Sequence, residues 1–484
     1  YVADRVHTFG TAFLGLTLEC SRCHDHKYDP IKQTEYYQLF SFFQNIDEAG
    51  LYSYFTNSVP TPTLAMMDPA QREKEAALRA EVTAKGEALA TVPGVDERFE
   101  EWKKTGAVPK LEGQLAHLDF EGAAGGGNES VPGKVGKAVK LSGDDAVGAG
   151  VGNFRRTQAF SVALWMNTPD RKSRAVVFHR SRAWTDAGSR GYELLLEDGR
   201  LKWSLIHFWP GNAISARTRD EFPVDDWRHV VVSYDGSGRA AGLKIYLDGE
   251  PAQIEVVRDK LSKEITGGGG DKIAIGERFR DKGFTGGLVD EFRVFDRELL
   301  AQEAAHLARG DALKPDRTWY RARVDPQFAQ ARAELAKARE SLASFQNGLR
   351  EIMVMRELPQ PKPAYLLARG AYDQRREEVK AVTPAALPGD GASDRAGLAR
   401  WLVSREQPLM SRVSVNRFWK ICFGEGLVRT PEDFGSQGEL PTHPELLDWL
   451  AAEFMETGWD LKGMMKLMVT SATYRQRSEP DPDL

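Results

Sequence analysis

Trp227-Arg228-His229-Val230-Val231-Val232-Ser233-Tyr234-Asp235 is rich in aromatic and β-branched residues and ends at a turn residue, and Leu243-Lys244-Ile245-Tyr246-Leu247-Asp248-Gly249 follows it after a Gly- and Ser-rich break. Such runs read as strands, and an Asp-Gly pair at the end of the second marks a hairpin. Working outward, Ala159-Phe160-Ser161-Val162-Ala163-Leu164-Trp165-Met166 on one side and Gly287-Leu288-Val289-Asp290-Glu291-Phe292-Arg293-Val294-Phe295 on the other have the same character. Short strands separated by regular turn signals predict an antiparallel β-sandwich across 113–308.

Charged helical runs flank this region. Asp68-Pro69 opens one that continues through Arg79, and Asp325-Pro326 opens another from Phe328 to Ile352, each with Asp as cap and Pro at the first helical position. Placed on either side of the sandwich, they are expected to pair antiparallel as a stalk; the plainer alternative is two independent solvated helices. Before the first run, Val2, Val6, Phe9, Phe13, Leu14 and Leu16 recur at helical spacing, and Thr34 is placed to cap a helix carrying Tyr37, Leu39, Phe40 and Phe43. After the second, Pro-rich 358–363 leads into helical patterns at Ala396–Val403, Trp449–Phe454 and Leu461–Met468. The expected class is multidomain α plus all-β: mainly helical N- and C-terminal segments packed together, with a jelly roll inserted on a helical stalk. The expected division is 1–60, the end of an N-terminal helical domain; 61–112, linker and first stalk helix; 113–308, jelly roll; 309–352, second stalk helix; and 353–484, a C-terminal mainly helical domain.

The chain has 484 residues, 41% of them hydrophobic and 28% charged, so it can bury a core. A formal net charge of -5 with dispersed Lys and Arg gives no footprint for nucleic acid. No apolar run is long enough for a membrane span. The chain begins at Tyr1 inside what reads as a helix, which suggests a longer precursor whose leader lies upstream.

Two of the three cysteines fall in Cys20-Ser21-Arg22-Cys23-His24-Asp25-His26-Lys27-Tyr28-Asp29-Pro30. C-x-x-C-H is the attachment signature of covalent haem c: the thiols of Cys20 and Cys23 hold the porphyrin and His24 ligates iron. The alternative is another metal held by Cys20, Cys23, His24 and His26, although four ligands crowded into so short a stretch do not readily relax to a tetrahedron. The aromatics Tyr28, Tyr36, Tyr37, Phe40, Phe42 and Phe43 suit a haem wall or, more plainly, a core.

The strand segments closely resemble the laminin-G-like, concanavalin-type jelly roll: an opening Asp119-Phe120, the W-x-H-V-x-x-x-Y-D strand, the Ile-Tyr-x-Asp-Gly hairpin and the closing G-x-x-D-E-x-R-x-F are all present in order. That resemblance implies glycan binding, frequently near calcium, with Asp119 and Asp290 as candidate ion ligands; Asp at strand ends is otherwise a turn residue. Trp184, Trp203, His207, Phe208 and Trp209 are candidates to stack on sugar, the alternative being that alternate members fill the sandwich. No Glu pair stands out as glycosidase carboxylates.

The N-terminal L-G-L-T-x-x-C-x-x-C-H-D-H-K-Y-D-P block, with Glu35-Tyr36-Tyr37, joins R-V-x-V-N-R-x-W at Arg412–Trp419, F-G-x-G-L-V at Phe423–Val428, P-T-H-P-E-L-L-D-W-L at Pro441–Leu450 and S-A-T-Y-R-Q at Ser471–Gln476. Together these resemble the planctomycete cytochrome-c-like family, in which two domains of unknown function flank a laminin-G-like insert. The resemblance implies an exported, periplasmic or extracellular protein in a polysaccharide-degrading setting, partnered by carbohydrate or cell-surface glycan and by a redox protein. Arg412, Asn416 and Arg417 are placed to bind an anion or a haem propionate, and His443 starts a helix; structural caps and ion pairs are the alternative. A Ser471-His443-Asp448 hydrolase lacks a nucleophile elbow. The leading expectation is an electron-transfer or oxidoreductase haem c protein. The others are a non-haem metal-dependent hydrolase or lyase acting on glycans and a non-catalytic cell-surface carbohydrate-binding protein.

Overall fold

The computed structural model describes residues 1–49, 57–107, 109–184, 188–310, 312–389 and 392–476, so parts of the predicted linkers and the tail after Gln476 lie outside the described residues. Its helices run in chain order α1 (Val2–Phe9), α2 (Gln33–Gln44), α3 (Pro69–Ala90), α4 (Val95–Lys104), α5 (Ala301–Arg309), α6 (Arg317–Arg323), α7 (Pro326–Gly348), α8 (Arg395–Leu402), α9 (Met410–Phe423), α10 (Pro444–Glu456) and α11 (Leu461–Thr470). Among the described residues no helix is long and apolar enough to cross a membrane. The chain forms two compact units, one of Tyr1–Ile46 with Glu357–Leu484 and one of Asp47–Arg356.

In the first unit the terminal segments share one core. Leu14, Leu18, Tyr36, Tyr37, Leu39 and Phe42 pack with Leu366, Leu398 and Trp401, while Val415, Leu427, Leu450, Phe454, Met464 and Met468 fill a second cluster among α9, α10 and α11. The apolar periodicity of α1 and α2 is thus spent on burial. Helix α2 starts at Gln33, earlier than a Thr34 cap allows, because the Glu35 carboxylate reaches back to accept the Lys32 N–H at 2.7 Å. Ile46 and Glu357 face each other in an isolated antiparallel bridge, reinforced where Leu358 N–H donates to the Asn45 carbonyl at 2.8 Å.

The second unit is a sandwich on two paired helices. One sheet runs in the order Ile254–Asp259, Asn212–Thr218, Arg200–Phe208, Gly191–Glu197, Arg174–Arg180, Ala274–Ile275, Val147–Gly148. The other runs Glu250–Pro251, Leu243–Leu247, Arg228–Tyr234, Phe160–Asn167, Leu288–Phe295, Lys137–Lys140, Glu129–Pro132, with Gln114–Leu118 also pairing Leu288–Phe295. Every strand-to-strand pairing in these two sheets is antiparallel, and Val176 adds an isolated parallel bridge to Gly283. Between the sheets lie Phe160, Tyr192, Trp203, Tyr234, Phe178 and Phe292, with Phe154 and Phe160 stacked at 4.4 Å between ring centroids. The Val230-Val231-Val232 run does not alternate with polar residues because both faces are covered. Val230 and Val232 face the sandwich core, while Val231 packs on the other face with Leu299 and with Ala304 of α5.

The stalk forms as the charged runs imply. Asp68 accepts the Gln71 N–H at 2.7 Å and Asp325 that of Gln327 at 2.9 Å, each capping its helix ahead of Pro. The partners Glu75–Gln346 at 2.8 Å and Lys85–Glu334 at 2.6 Å run in opposite directions along α3 and α7, so the helices are antiparallel. The second helix stops at Gly348 instead of reaching Ile352, since Glu351–Met353 pairs as a strand with Thr63–Ala65. At the far end, Phe99 and Trp102 of α4 pack at a tilt against Trp319 and Tyr320 of α6, and Arg98 pairs with the buried Asp325 at 2.6 Å.

Candidate functional site

The C-x-x-C-H segment begins in a 3-10 turn, Glu19–Arg22, with Cys23 as its cap and His24 just after it. In that geometry residues three apart eclipse. The Cys23 and His24 N–H groups both approach the Cys20 carbonyl, at 3.2 and 3.4 Å, and Cys20, Cys23 and His24 are all exposed. Behind them the turn is bolted down: the Arg22 carbonyl accepts from the Tyr37 hydroxyl at 2.9 Å and from Gln33 Nε2 at 3.0 Å, and Gln33 N–H donates to Asp25 at 2.8 Å. Gly370, with φ of +73, lies so close that an added Cβ would meet Cys23 Sγ at 3.1 Å. His24 Nδ1 is 2.7 Å from the Asp25 carbonyl, an acceptor, so Nδ1 carries the proton and Nε2 is the nitrogen left free. That is the tautomer a ligating imidazole needs.

The alternative four-residue metal set does not assemble. His26 is turned inward, its Nδ1 accepting the Asp29 N–H at 2.9 Å beside the Asp29 carboxylate at 3.4 Å, while the other three side chains face out. Among the described residues no group of three or more His, Cys, Asp or Glu is gathered to hold an ion. His26 and Asp29, which have no role in a haem signature, act as a lock: Asp29 Oδ1 accepts the Ser436 N–H at 2.7 Å, and any Cβ on Gly435 would strike that carboxylate at 2.5 Å. The aromatics Tyr36, Tyr37, Phe42 and Phe43 are buried against one another as core, and burial first of all pushes the Tyr36 and Tyr37 hydroxyls to higher pKa.

The C-terminal candidates are held within the fold. Arg412 ties α9 to α10 through Asp448 at 2.7 Å and also donates to the Pro408 carbonyl at 2.5 Å. Asn416 is fully buried, giving Nδ2 to the Val428 carbonyl at 2.9 Å and taking the Val428 N–H at 2.8 Å, which corrects its assignment as a ligand residue. Arg417 donates to the Ala12 and Thr11 carbonyls at 2.5 and 2.6 Å. His443, at the start of α10, bonds Thr442 Oγ1 at 3.0 Å and is exposed.

In the sandwich, Asp290 is also a correction. It is buried, its oxygens accepting the Val135 and Glu291 N–H groups at 2.8 and 2.7 Å, and burial raises its pKa; Asp119 is exposed and accepts only the Glu121 N–H, at 3.3 Å. These carboxylates clamp loops instead of sharing an ion. Of the aromatic candidates, Trp203 and Phe208 are core and His207 is buried, whereas Trp184 and Trp209 are half-exposed. Each has a cation on its ring, Arg174 at 4.0 Å from Trp184 and Lys202 at 4.4 Å from Trp209.

The same side of the seven-stranded sheet carries a buried ionic network. Arg278 joins Glu193 and Asp281, each at 2.5 Å, and Arg174 joins Asp281 at 2.7 Å and Glu197 at 3.2 Å. Burial pushes the Asp281 carboxyl up, but the Arg174 hydrogen bond and Arg278 charge hold it below its ordinary value. Strand rise places the α-carbons of Glu193 and Glu197 about 13 Å apart, and each carboxylate is engaged by its own cations, so they do not make a glycosidase pair.

Three parts of the chain match known families. Residues 1–48 match the family described as protein of unknown function (DUF1549), residues 141–305 the concanavalin A-like lectin/glucanases superfamily, and residues 394–484 protein of unknown function (DUF1553). Two domains of unknown function flank a concanavalin-like domain. No curated protein matches the chain. Among solved structures, the binding domain of Paraclostridial Mosquitocidal Protein 1 is similar at 14% identity and a TM-score of 0.34, covering 41% of this chain and 52% of that one. Domain 4 of AbnA, a GH43 extracellular arabinanase from Geobacillus stearothermophilus solved with arabinotriose, is similar at 20% identity and a TM-score of 0.29, covering 41% of this chain and all of that one. The chain thus spans about half the length of the first of these.

Proposed function

We propose that this chain binds carbohydrate through its concanavalin-like domain and carries a covalently attached haem c on its helical unit, in an exported, periplasmic or extracellular protein. Support for the first part comes from the match of residues 141–305 to a lectin and glucanase superfamily. Support for the second is one observation: Cys20, Cys23 and His24 stand exposed on and just after a single turn with His24 Nε2 free. Cys20 and Cys23 would hold the porphyrin and His24 would face the iron, with the Asp25 carbonyl fixing its tautomer. Haem bound there supplies one-electron chemistry, exchanged with a redox partner protein. The His26–Asp29 lock keeps the turn from shifting. Sugar contact falls to Trp184 and Trp209, the half-exposed aromatics of the predicted set.

Two measurements test this. Protein produced in a host that matures haem c should show a sharp reduced α band surviving acid–acetone extraction, and Cys20→Ser with Cys23→Ser should lose it. A colourless wild type from such a host overturns the haem assignment. On a glycan array the full chain should bind, and Trp209→Ala should weaken that binding by up to about tenfold, the loss of one ring's stacking at about 0.5–1.5 kcal/mol; an array with no signal overturns the carbohydrate assignment.

A further inference from the structure

Where the stalk meets the loops of the jelly roll, inside the second unit, lies a cavity of about 470 Å³. Its walls come from α3, α7 and the loops at 156–157, 236–239 and 260–262, and they carry Arg79, Arg156, Arg239, Lys260 and Arg339 without a single Asp or Glu. Five cations on one small cavity repel one another, an arrangement that costs stability wherever carboxylates behind the wall do not answer them.

Arg79 is answered by Glu75 at 2.7 Å, Lys260 by Asp47 at 3.2 Å and Arg339 by Asp235, whose carboxylate is at 4.0 Å and whose carbonyl accepts at 3.1 Å. Arg156 is different. It is nine-tenths buried, no described carboxylate lies within ion-pair distance of it, and the bond its guanidinium makes among the described residues is to Gln346 Oε1 at 3.2 Å. Gln346 is itself held from behind by Glu75, at 2.8 Å. Burial lowers the Arg156 pKa, outweighing the more distant charges of Glu264 and Glu340, neither of which bonds the guanidinium. A buried guanidinium so weakly partnered is normally answered by an anion. The remaining wall, Thr83, Ser237, Ser262 and the Gly236-Ser237-Gly238 loop, is rich in hydroxyls and close backbone, which suits a polyhydroxy ligand. The volume lies in the range of small-ligand sites and takes about one or two sugar rings.

We propose that this cavity is a binding site for an acidic saccharide, whose sulfate ester or carboxylate is taken up by Arg156 with Arg239 and Arg339. The site is separate from Trp184 and Trp209, so it adds to the carbohydrate reading and does not stand or fall with it. Its three cations come from three distant parts of the sequence, and no local motif announces them.

The test is calorimetric titration of the full chain with a sulfated dextran oligosaccharide, an oligogalacturonate, neutral dextran of matched length, and inorganic sulfate. At least one acidic oligosaccharide should bind, neutral dextran should not, and affinity should fall as salt rises. Arg239→Gln with Arg339→Gln, its folding checked by circular dichroism because Arg339 also holds Asp235, should weaken the acidic probe by at least about tenfold. Arg156→Gln should abolish it, its folding checked by circular dichroism. Absence of binding to both acidic oligosaccharides, equal binding of neutral dextran, or unchanged affinity in the double variant would each overturn the site. Binding of inorganic sulfate without either oligosaccharide would overturn the saccharide as ligand. Array binding to neutral glycans should survive Arg239→Gln with Arg339→Gln, which separates this site from the aromatic one.

Discussion

Lowering the pH from 6.5 to 4.5 should cost the jelly roll about 8 kcal/mol of stability. His179, His207 and His229 are buried there, and burial before all else lowers their pKa from 6.5 to about 3, 3 and 4. His179 is held between Ser181 Oγ and the Glu277 carbonyl, and His207 lies against the Glu264 carbonyl. Below pH 6.5 each imidazole takes a proton in the unfolded chain but stays neutral in the fold, so the unfolded state binds more protons and stability falls as pH falls. Stability from this source is complete above 6.5 and drains away toward pH 3–4. Three such groups give a slope of roughly 4 kcal/mol per pH unit, and a domain has only about 5–15 kcal/mol to lose. Urea melts followed by tryptophan fluorescence from pH 8 to 4.5 read this directly. Stability that is flat across that range rejects neutral burial, and His207→Gln should remove about a third of the slope.

Arg278→Met should destabilise the same domain by about 3–5 kcal/mol, the cost of leaving a buried carboxylate without its partner. Glu193 has Arg278 as its ion-pair partner among the described residues, whereas Asp281 keeps Arg174. Replacing both ends, Glu193→Leu with Arg278→Met, should recover most of the loss, because an apolar pair of similar volume needs no desolvated charge. Equal destabilisation in the single and double variants would show that the side-chain volume of Arg278, not its charge, is what the sheet needs.

How far the residues announced these features differs from place to place. The strands around Val230 and Phe292, the Asp-Pro caps at 68–69 and 325–326 and the antiparallel stalk were legible because each depends on neighbours in sequence: period, cap and turn. The exposure of Trp203 and Phe208 was not, since a strand with both faces covered looks the same as one with a face free. Asn416 and Asp290 read as ligands for a related reason. Polar side chains at helix and strand positions look available until the backbone groups they serve, Val428 and Val135, are brought beside them by the fold. His26 and Asp29 seemed surplus to C-x-x-C-H because their partner, Ser436, is four hundred residues away in sequence. The cationic cavity is the extreme case, assembled wholly by tertiary packing.

The bridge between Ile46 and Glu357 bears on how the molecule came to be assembled. Facing residues of an antiparallel bridge stand about 5 Å apart, so the whole of Asp47–Arg356 leaves and returns through one narrow doorway in the helical unit. Seen from that unit, the sandwich with its stalk is a cartridge, and a two- to four-residue hairpin turn could close the same gap at little entropic cost. Such a junction makes the helical unit's closure independent of the length of the module inserted through it.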